Sequence, residues 1–418
     1  MSRRVFLAAG ACTPFIGKGH PDFIWKRHPD FGVRENPTLR EMLSSAVKQT
    51  AESIDADLAM VDKAYVANFV GELFVNQGHL GAALAGSHPA LAGKPTMRVE
   101  GACASGGLAI VCAIDALKAG SDVVLVSGVE VQTTASARVG GDYLARASDY
   151  ERQRGIDDFT FPALFARRTK YYRERFGTTE EDIARASVKA YANANRNPLA
   201  HMKAKTMTLE HARVAGDRNP AFLSNAEYAP FLKVSDCSQV SDGAAAALLV
   251  TEEGLVKLGL RPEDCIEFIG TGHSTSSLYV DGDPTELATT RYAAEQAYAA
   301  AGLTPADVQI AEVHDCFTLT ELLMTEALGF ADAGKGAELL KEGVTEIDGR
   351  LPVNTGGGLV GFGHPVGATG IKQAVEVFRQ MKGRCGEYQV PNVPSIGMTA
   401  NMGGDDKTVV VNLLRNVG

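Results

Sequence analysis

The chain has 418 residues, 45% hydrophobic and 22% charged, a globular composition that excludes wholesale disorder and suits two domains or one large α/β fold. With 41 basic against 50 acidic residues its net charge is −9, which excludes a general nucleic-acid or anionic-membrane binder, and no run of ~18 uncharged apolar residues predicts a membrane insertion. The seven cysteines, odd in number and never spaced C-x-x-C, fit neither a disulfide framework nor a zinc ribbon and point to the reducing cytoplasm.

Taken in chain order, Ser2-Arg3-Arg4-Val5-Phe6-Leu7 reads either as a twin-arginine export pattern or as the approach to a first buried strand, Val5 to Ala9. The strand is preferred, because no A-x-A cleavage site follows and Lys18, His20, Asp22 and Lys26 end the apolar run. Gly101-Ala102-Cys103-Ala104-Ser105-Gly106-Gly107 then precedes a largely apolar helix running to about Gly120. Asp122 to Ser127 is a near-continuous β-branched run, as expected of a strand covered on both faces. Residues 131–235 are richer in charge and turn residues, with a basic run from Arg167 and Arg168 to Arg175 and a capping box predicted at Thr178-x-x-Glu181. That section reads as an insertion into an α/β body. Gly243 to Val250, Ile310 to Val313 and Thr408 to Leu414 read as further strands, and the alternation of strand and helix signals predicts mostly parallel pairing.

Cys103 is the leading nucleophile candidate. A helix N-terminus presents unpaired amides and partial positive charge, which favours thiolate; the other reading is an inert cysteine filling a small hole. His364 lies in a stretch with seven glycines between 356 and 370, a density that suits close backbone approach to a ligand. Gly356-x-Gly358-x-x-Gly361 satisfies the dinucleotide fingerprint formally, but Gly363-His364-Pro365 intervenes before any helix, so the required context fails. His364 is either a base for Cys103 or a histidine satisfied within its turn. His314-Asp315-Cys316-Phe317 follows a strand end, where open α/β sheets build sites. As a metal site it is poor, since adjacent strand residues point to opposite faces, and no metal is expected. Cys316 reads as a second, proton-exchanging thiol or as a buried cysteine in a polar turn. Gly403, in Asn401-Met402-Gly403-Gly404, offers a backbone N–H to an oxyanion or is a plain turn. The Cys103 and His364 turns, one per half, suggest a duplicated architecture.

Together Thr13-Pro14-Phe15, Gly101-Ala-Cys-Ala-Ser-Gly106, Ser241-Asp242-Gly243-Ala-Ala-Ala246, His314-Asp315-Cys316-Phe317 and Gly363-His-Pro-Val-Gly-Ala-Thr-Gly370 resemble the thiolase family over essentially the whole chain. The resemblance implies an α/β thiolase fold, two pseudo-duplicated halves in five layers αβαβα with an inserted loop domain. Its parts would be residues 1–130 plus 236–266, the loop domain 131–235, and residues 267–418. It also implies acyl-CoA and coenzyme A as substrates, no cofactor, and a homodimer or homotetramer. Carried onto this chain, Cys103 is acylated, His364 activates it, and the Gly403 and Cys103 N–H groups form one oxyanion hole. Ser238 meets the pantetheine arm, and Arg167 and Arg168 lie where coenzyme A phosphates bind. Ordinary thiolases have Asn-Glu-Ala-Phe at the HDCF position and a C-x-G cysteine at Asn401. The HDCF version resembles the sterol-carrier-protein type, in which Cys316 takes the second acid/base role and His314 replaces the asparagine of the other oxyanion hole. Those relatives carry His-Asn where this chain has Ala400-Asn401. The expected activity is thiolytic cleavage of 3-oxoacyl-CoA or the reverse Claisen condensation. The alternatives are a retro-aldol or condensing enzyme on acyl-CoA and a non-catalytic acyl-CoA-binding scaffold.

Overall fold

In the computed structural model, which describes residues 3–418, nine strands form one sheet: β1 (Phe6–Cys12), β2 (Lys63–Ala67), β3 (Thr96–Val99), β4 (Val123–Glu130), β5 (Gly243–Val250), β6 (Ile266–Thr275), β7 (Ile310–Glu312), β8 (Ile396–Gly403) and β9 (Thr408–Asn416). Their order is β3-β2-β4-β5-β1-β6-β9-β8-β7. The join between β1 and β6 is slight, Phe6 opposite Glu267 and Leu7 opposite Ile266, so the sheet divides there into two halves.

The halves repeat one plan. β2 and β4 pair in parallel, as do β7 and β8; β4 and β5 pair antiparallel, as do β8 and β9; β5 and β1 pair antiparallel, as do β9 and β6. Even β3 has a trace of a counterpart, a single parallel bridge between Ala311 and Val353. Antiparallel pairs therefore outnumber parallel ones, correcting the mostly parallel expectation. Strand and helix signals do alternate, but the last strand of each half returns antiparallel between the first strand of that half and the one just before it in sequence, and alternation in sequence does not encode that return.

Five layers follow from where the helices lie. Ser105–Lys118 and Thr369–Met381 occupy the middle: the first packs against β2 and β4 on one side and β8 and β9 on the other, the second against β1 and β5 and against β7 and β8. Leu39–Glu52 covers the outer face of the N-terminal half, and Ala288–Ala301 that of the C-terminal half. Strand alternation divides the core accordingly. Tyr65, Val124, Val126, Ala245 and Ala247 face the central helices, whereas Ala64, Val66, Val123, Leu125 and Ala246 face Leu39–Glu52. The central helices touch backbone to backbone: a Cβ on Gly106 would lie 2.7 Å from the Gly370 nitrogen. Both helices thus bring their N-terminal turns to one point.

Between β4 and β5 the chain is helical and contains no strand, with Thr160–Phe176 and Glu180–Arg196 as its long helices. The capping box sits one residue later than expected. Thr179 accepts from the Asp182 N–H and Asp182 accepts from the Thr179 N–H, so Thr178 and Glu181 are not the pair. Two candidate caps stand in series in Thr178-Thr179-Glu180-Glu181-Asp182, and the pattern alone does not choose between them. At the start of the chain Arg3 bonds the Leu117 and Ser121 carbonyls, and Arg4 forks onto Glu267. Both arginines belong to the folded body.

Candidate active site

Cys103 sits in one turn of 3-10 helix, Ala102–Ala104, leading into Ser105–Lys118. The turn is strained. Ala102 has φ +52, a left-handed conformation that costs a non-glycine residue roughly 1–3 kcal/mol. It is held there by its N–H donating to Glu100 Oε1 (2.6 Å) and by Ser105 Oγ, which accepts from the Gly101 N–H (3.0 Å) and donates to the Ala102 carbonyl (2.6 Å). Cys103 packs against a buried apolar cluster of Phe69, Val70, Phe74, Ala102, Ala147 and Val366. One ring nitrogen each of His314 and His364 and the Cys103 sulfur lie within 4.8 Å of one another, and the two rings meet edge to face, centroids 5.1 Å apart.

The electrostatics differ from the helix-dipole expectation. Burial pushes the Cys103 thiol up to about 12, against which the Gly404 N–H and its own N–H act. The resting sulfur is therefore a neutral thiol, because desolvation of a thiolate outweighs the helix N-terminus here. Burial also lowers His364 to about 3 and His314 well below its ordinary range, with His364 adding to the latter. All three groups are uncharged at neutral pH. His364 Nδ1 lies 2.7 Å from Thr369 Oγ1, which also lies 3.0 Å from the Pro365 carbonyl; the arrangement in which the hydroxyl donates to that carbonyl and accepts from an Nδ1–H satisfies both contacts. Its Nε2 is buried and has no hydrogen-bond partner. A lone pair on an orphaned, buried imidazole nitrogen is the proton acceptor that a neutral thiol needs.

Cys316 lies beside this group. Burial raises its thiol far above the ordinary range, with Cys103 the next cause, and its sulfur is 3.9 Å from Thr320 Oγ1. Its carbonyl accepts from the Ser238 N–H at 2.9 Å, which brings the Ser238 segment to the HDCF turn. Asp315, between the two reactive residues, is buried and accepts from the Leu359 N–H at 2.6 Å. It anchors the glycine-rich loop and turns away from the thiols. Gly403 ends β8 and packs on the Cys103 turn, where a Cβ would lie 2.2 Å from the Gly101 oxygen. The N–H of the following residue, Gly404, acts with that of Cys103 itself to favour the thiolate; Gly404 is a residue that sequence reasoning did not name.

Arg168 is a correction. It is buried, pairs with Asp405 and donates to the carbonyls of Asp283, Pro284 and Glu286. Its Nε and Nη1 are both engaged inside the protein, so it does not stand on the surface as a phosphate-binding arginine; through Asp405 it holds the Gly403-Gly404 loop. Arg167, its neighbour, turns outward onto an open cleft of about 870 Å³ shared with Tyr171, Arg175 and Tyr228. None of the Cys103 group lines that cleft. Glu130, also missed, accepts from the N–H groups of Phe69 and Gly367 and from Asn68 Nδ2, tying the end of β4 to the His364 turn. No motif announces it, because its partners, at residues 68–70 and at Gly367, lie in two segments far from it in the chain.

With the fold and this geometry in hand, the comparisons agree. Residues 29–253 match the model of the thiolase N-terminal domain and residues 270–416 that of the thiolase C-terminal domain-like family. The chain belongs to the thiolase family. It is 36% identical over 377 residues to an acetyl-CoA acetyltransferase of Methanothermobacter thermautotrophicus, covering 90% of this chain and 94% of that one. It is also 28% identical over 420 residues to human sterol carrier protein 2, covering 98% and 71%. In structure it resembles an Ltp2-ChsH2(DUF35) aldolase, with TM-score 0.78, 21% identity and coverage of 99% and 98%. The protein is an acyltransferase that carries out thiolase-type acyl transfer. Among the described residues no helix is long and apolar enough to cross a membrane.

Proposed function

We propose that the chain cleaves 3-oxoacyl-CoA thiolytically, or runs the reverse condensation, through an acyl group on Cys103. The observation that carries this reading is the orphaned, buried His364 Nε2 beside a neutral Cys103 thiol and a second histidine. His364 Nε2 takes the thiol proton, and the thiolate sulfur bonds to the 3-oxo carbon. The bond between C2 and C3 breaks, and its electron pair passes to the departing acyl-CoA as an enolate held by His314. Cys316 S–H supplies the proton to C2. Coenzyme A thiol then gives its proton to the Cys316 thiolate and attacks the acyl carbon, whose oxygen is held by the N–H groups of Cys103 and the Gly403-Gly404 loop; as the new thioester leaves, the Cys103 thiolate takes its proton back from His364. Each such donor is worth roughly 2.7–4 kcal/mol. No cofactor enters any step.

Residues 131–235 serve in this reading as the loop domain that receives coenzyme A, with Ser238 near the pantetheine arm and Arg167, on a cleft that also carries Glu174, Asp281 and Asp283, as the arginine left to meet its phosphates. The seven unpaired cysteines suit a reducing cytoplasm. The likeness in fold to an aldolase named with a DUF35 subunit supports a second reading, carbon–carbon cleavage without transfer to free coenzyme A and with a partner chain in place of a homo-oligomer.

Intact-protein mass after mixing with acetoacetyl-CoA tests both. An acetyl adduct that is absent in Cys103→Ala and discharged by added coenzyme A is the expected result. No adduct from short, long or branched substrates would sink the thiolase reading in favour of the aldolase or scaffold alternatives.

A further inference from the structure

Asn401, at the position where the resemblance puts the C-x-G cysteine of ordinary thiolases and an asparagine in the sterol-carrier-protein type, has a fully engaged amide. Its Oδ1 accepts from the Gly107 N–H at 2.9 Å; its Nδ2 donates to the Cys103 carbonyl at 3.0 Å and faces His314 Nδ1 at 3.2 Å. The orientation of this amide follows from its partners. A backbone N–H can only donate, so the atom opposite Gly107 is the oxygen; a carbonyl can only accept, so the atom opposite Cys103 is the nitrogen. The second hydrogen of that nitrogen therefore points at His314 Nδ1, which has to offer a lone pair. A neutral imidazole with a lone pair on Nδ1 carries its proton on Nε2.

We propose that Asn401 is a positioning residue that holds His314 as the Nε2–H tautomer, a hydrogen-bond donor to the substrate oxygen, while Thr369 holds His364 as the opposite tautomer, a base. The two rings are chemically alike and side by side, and their roles are separated by one partner each: an amide N–H that only donates, and a hydroxyl that can accept from His364 Nδ1 while giving its own proton to the Pro365 carbonyl. The assignment of roles to substrate oxygen and thiol rests on the thiolase reading; the tautomers do not.

The same amide explains why a Cys-His-His group with ligand atoms within 4.8 Å is not a ready zinc site. A histidine binds a metal through an unprotonated nitrogen and usually donates its other N–H to a carboxylate or carbonyl. Asn401 presents the opposite, a donor, so His314 Nε2 keeps its proton. Replacing the amide by a carboxylate reverses this. In Asn401→Asp, His314 Nδ1–H donates to the new oxygen, Nε2 is freed, and three basic ligand atoms face one another.

Nitrogen NMR of histidine-labelled protein, with the His314 signals assigned by their loss in His314→Gln, reads the tautomer directly. The wild type is expected to show a protonated Nε2 on His314 and a protonated Nδ1 on His364. A protonated Nδ1 on His314 would overturn the proposal without any variant. Titration with Zn²⁺ alone is expected to show about 10–100-fold tighter binding to Asn401→Asp than to wild type, the range of outer-shell effects on metal sites; equal affinity counts against the proposal. Acetylation of Cys103 by acetyl-CoA should survive in that variant, while cleavage of acetoacetyl-CoA falls about 100-fold or more. If the wild type shows the expected tautomers but never acquires an acetyl group, the thiolase reading fails and the tautomer assignment stands.

Discussion

Burial raises the Cys103 thiol to about 12 although its turn feeds a helix N-terminus whose partial charge acts the other way. The sign has an experimental consequence. Below its pKa the thiolate fraction rises with pH, so alkylation of Cys103 by iodoacetamide should climb about tenfold per unit from roughly pH 7 to 10. A plateau below about pH 8, read from peptide mass after timed labelling, would mean that the helix end or His364 dominates over desolvation. The neutral thiol also fits the rest of the group. With His364 lowered to about 3, a charged pair would arise only when substrate is present to share the charge, and the resting site avoids burying ions. Cys103 and His364 were legible as candidates in the sequence because each stands in a dense run of small residues. The sign of the thiol's shift was not, because it depends on what covers the sulfur.

At the scale of elements, the site exists because two helices from different halves begin at the same place. Their contact uses glycine where any side chain would collide: a Cβ on Gly106 would lie 2.7 Å from the Gly370 nitrogen and 2.9 Å from its Cα, both backbone atoms that cannot swing aside. Gly106→Ala should therefore cost about 1–3 kcal/mol as overpacking and displace the Cys103 turn. Gly155→Ala, where nothing lies within 4 Å of the added atom, should stay within about 0.5 kcal/mol of wild type. Urea unfolding of the two variants decides it; equal midpoints would mean that the helices can part without loss. The helices themselves were readable from apolar runs ending near Gly120 and Gly383. Their crossing was not, because periodicity says which face is buried and not against what.

Across the whole molecule, two buried ion pairs join the layers. Lys372 on the central helix Thr369–Met381 pairs with Glu312 at the end of β7, two residues before His314, with both side chains 1% exposed. Lys189 in the inserted section pairs with Glu321 in Thr318–Ala327 of the C-terminal half. Such a pair gains little net stability when intact, because desolvation offsets attraction, but losing one partner strands a buried charge. Lys372→Met should lower unfolding free energy by about 3–5 kcal/mol, while the double change with Glu312→Leu should recover much of it. A single variant as stable as wild type would show that Glu312 is neutral in the folded chain. Arg168 acts at the same scale: read alone it belongs to a basic run, and in the fold it clamps the loop that carries Gly404.

By itself the sequence determined the inventory: the strand that leads to His314, the glycine-flanked turns holding Cys103 and His364, the change of character over 131–235, and the family these motifs resemble. Each of these is local, set by side-chain periodicity and turn chemistry within a dozen residues or so. Tertiary structure alone decided the antiparallel return strands, the left-handed Ala102, the burial of Arg168, the reach of the Gly404 N–H and the proton pattern of the two histidines. Those depend on partners far away in the chain, as when Asn401 bonds Cys103 and Gly107 across 298 and 294 residues. Desolvation and hydrogen-bond direction are properties of what surrounds a group, and the chain supplies those surroundings only once it is folded.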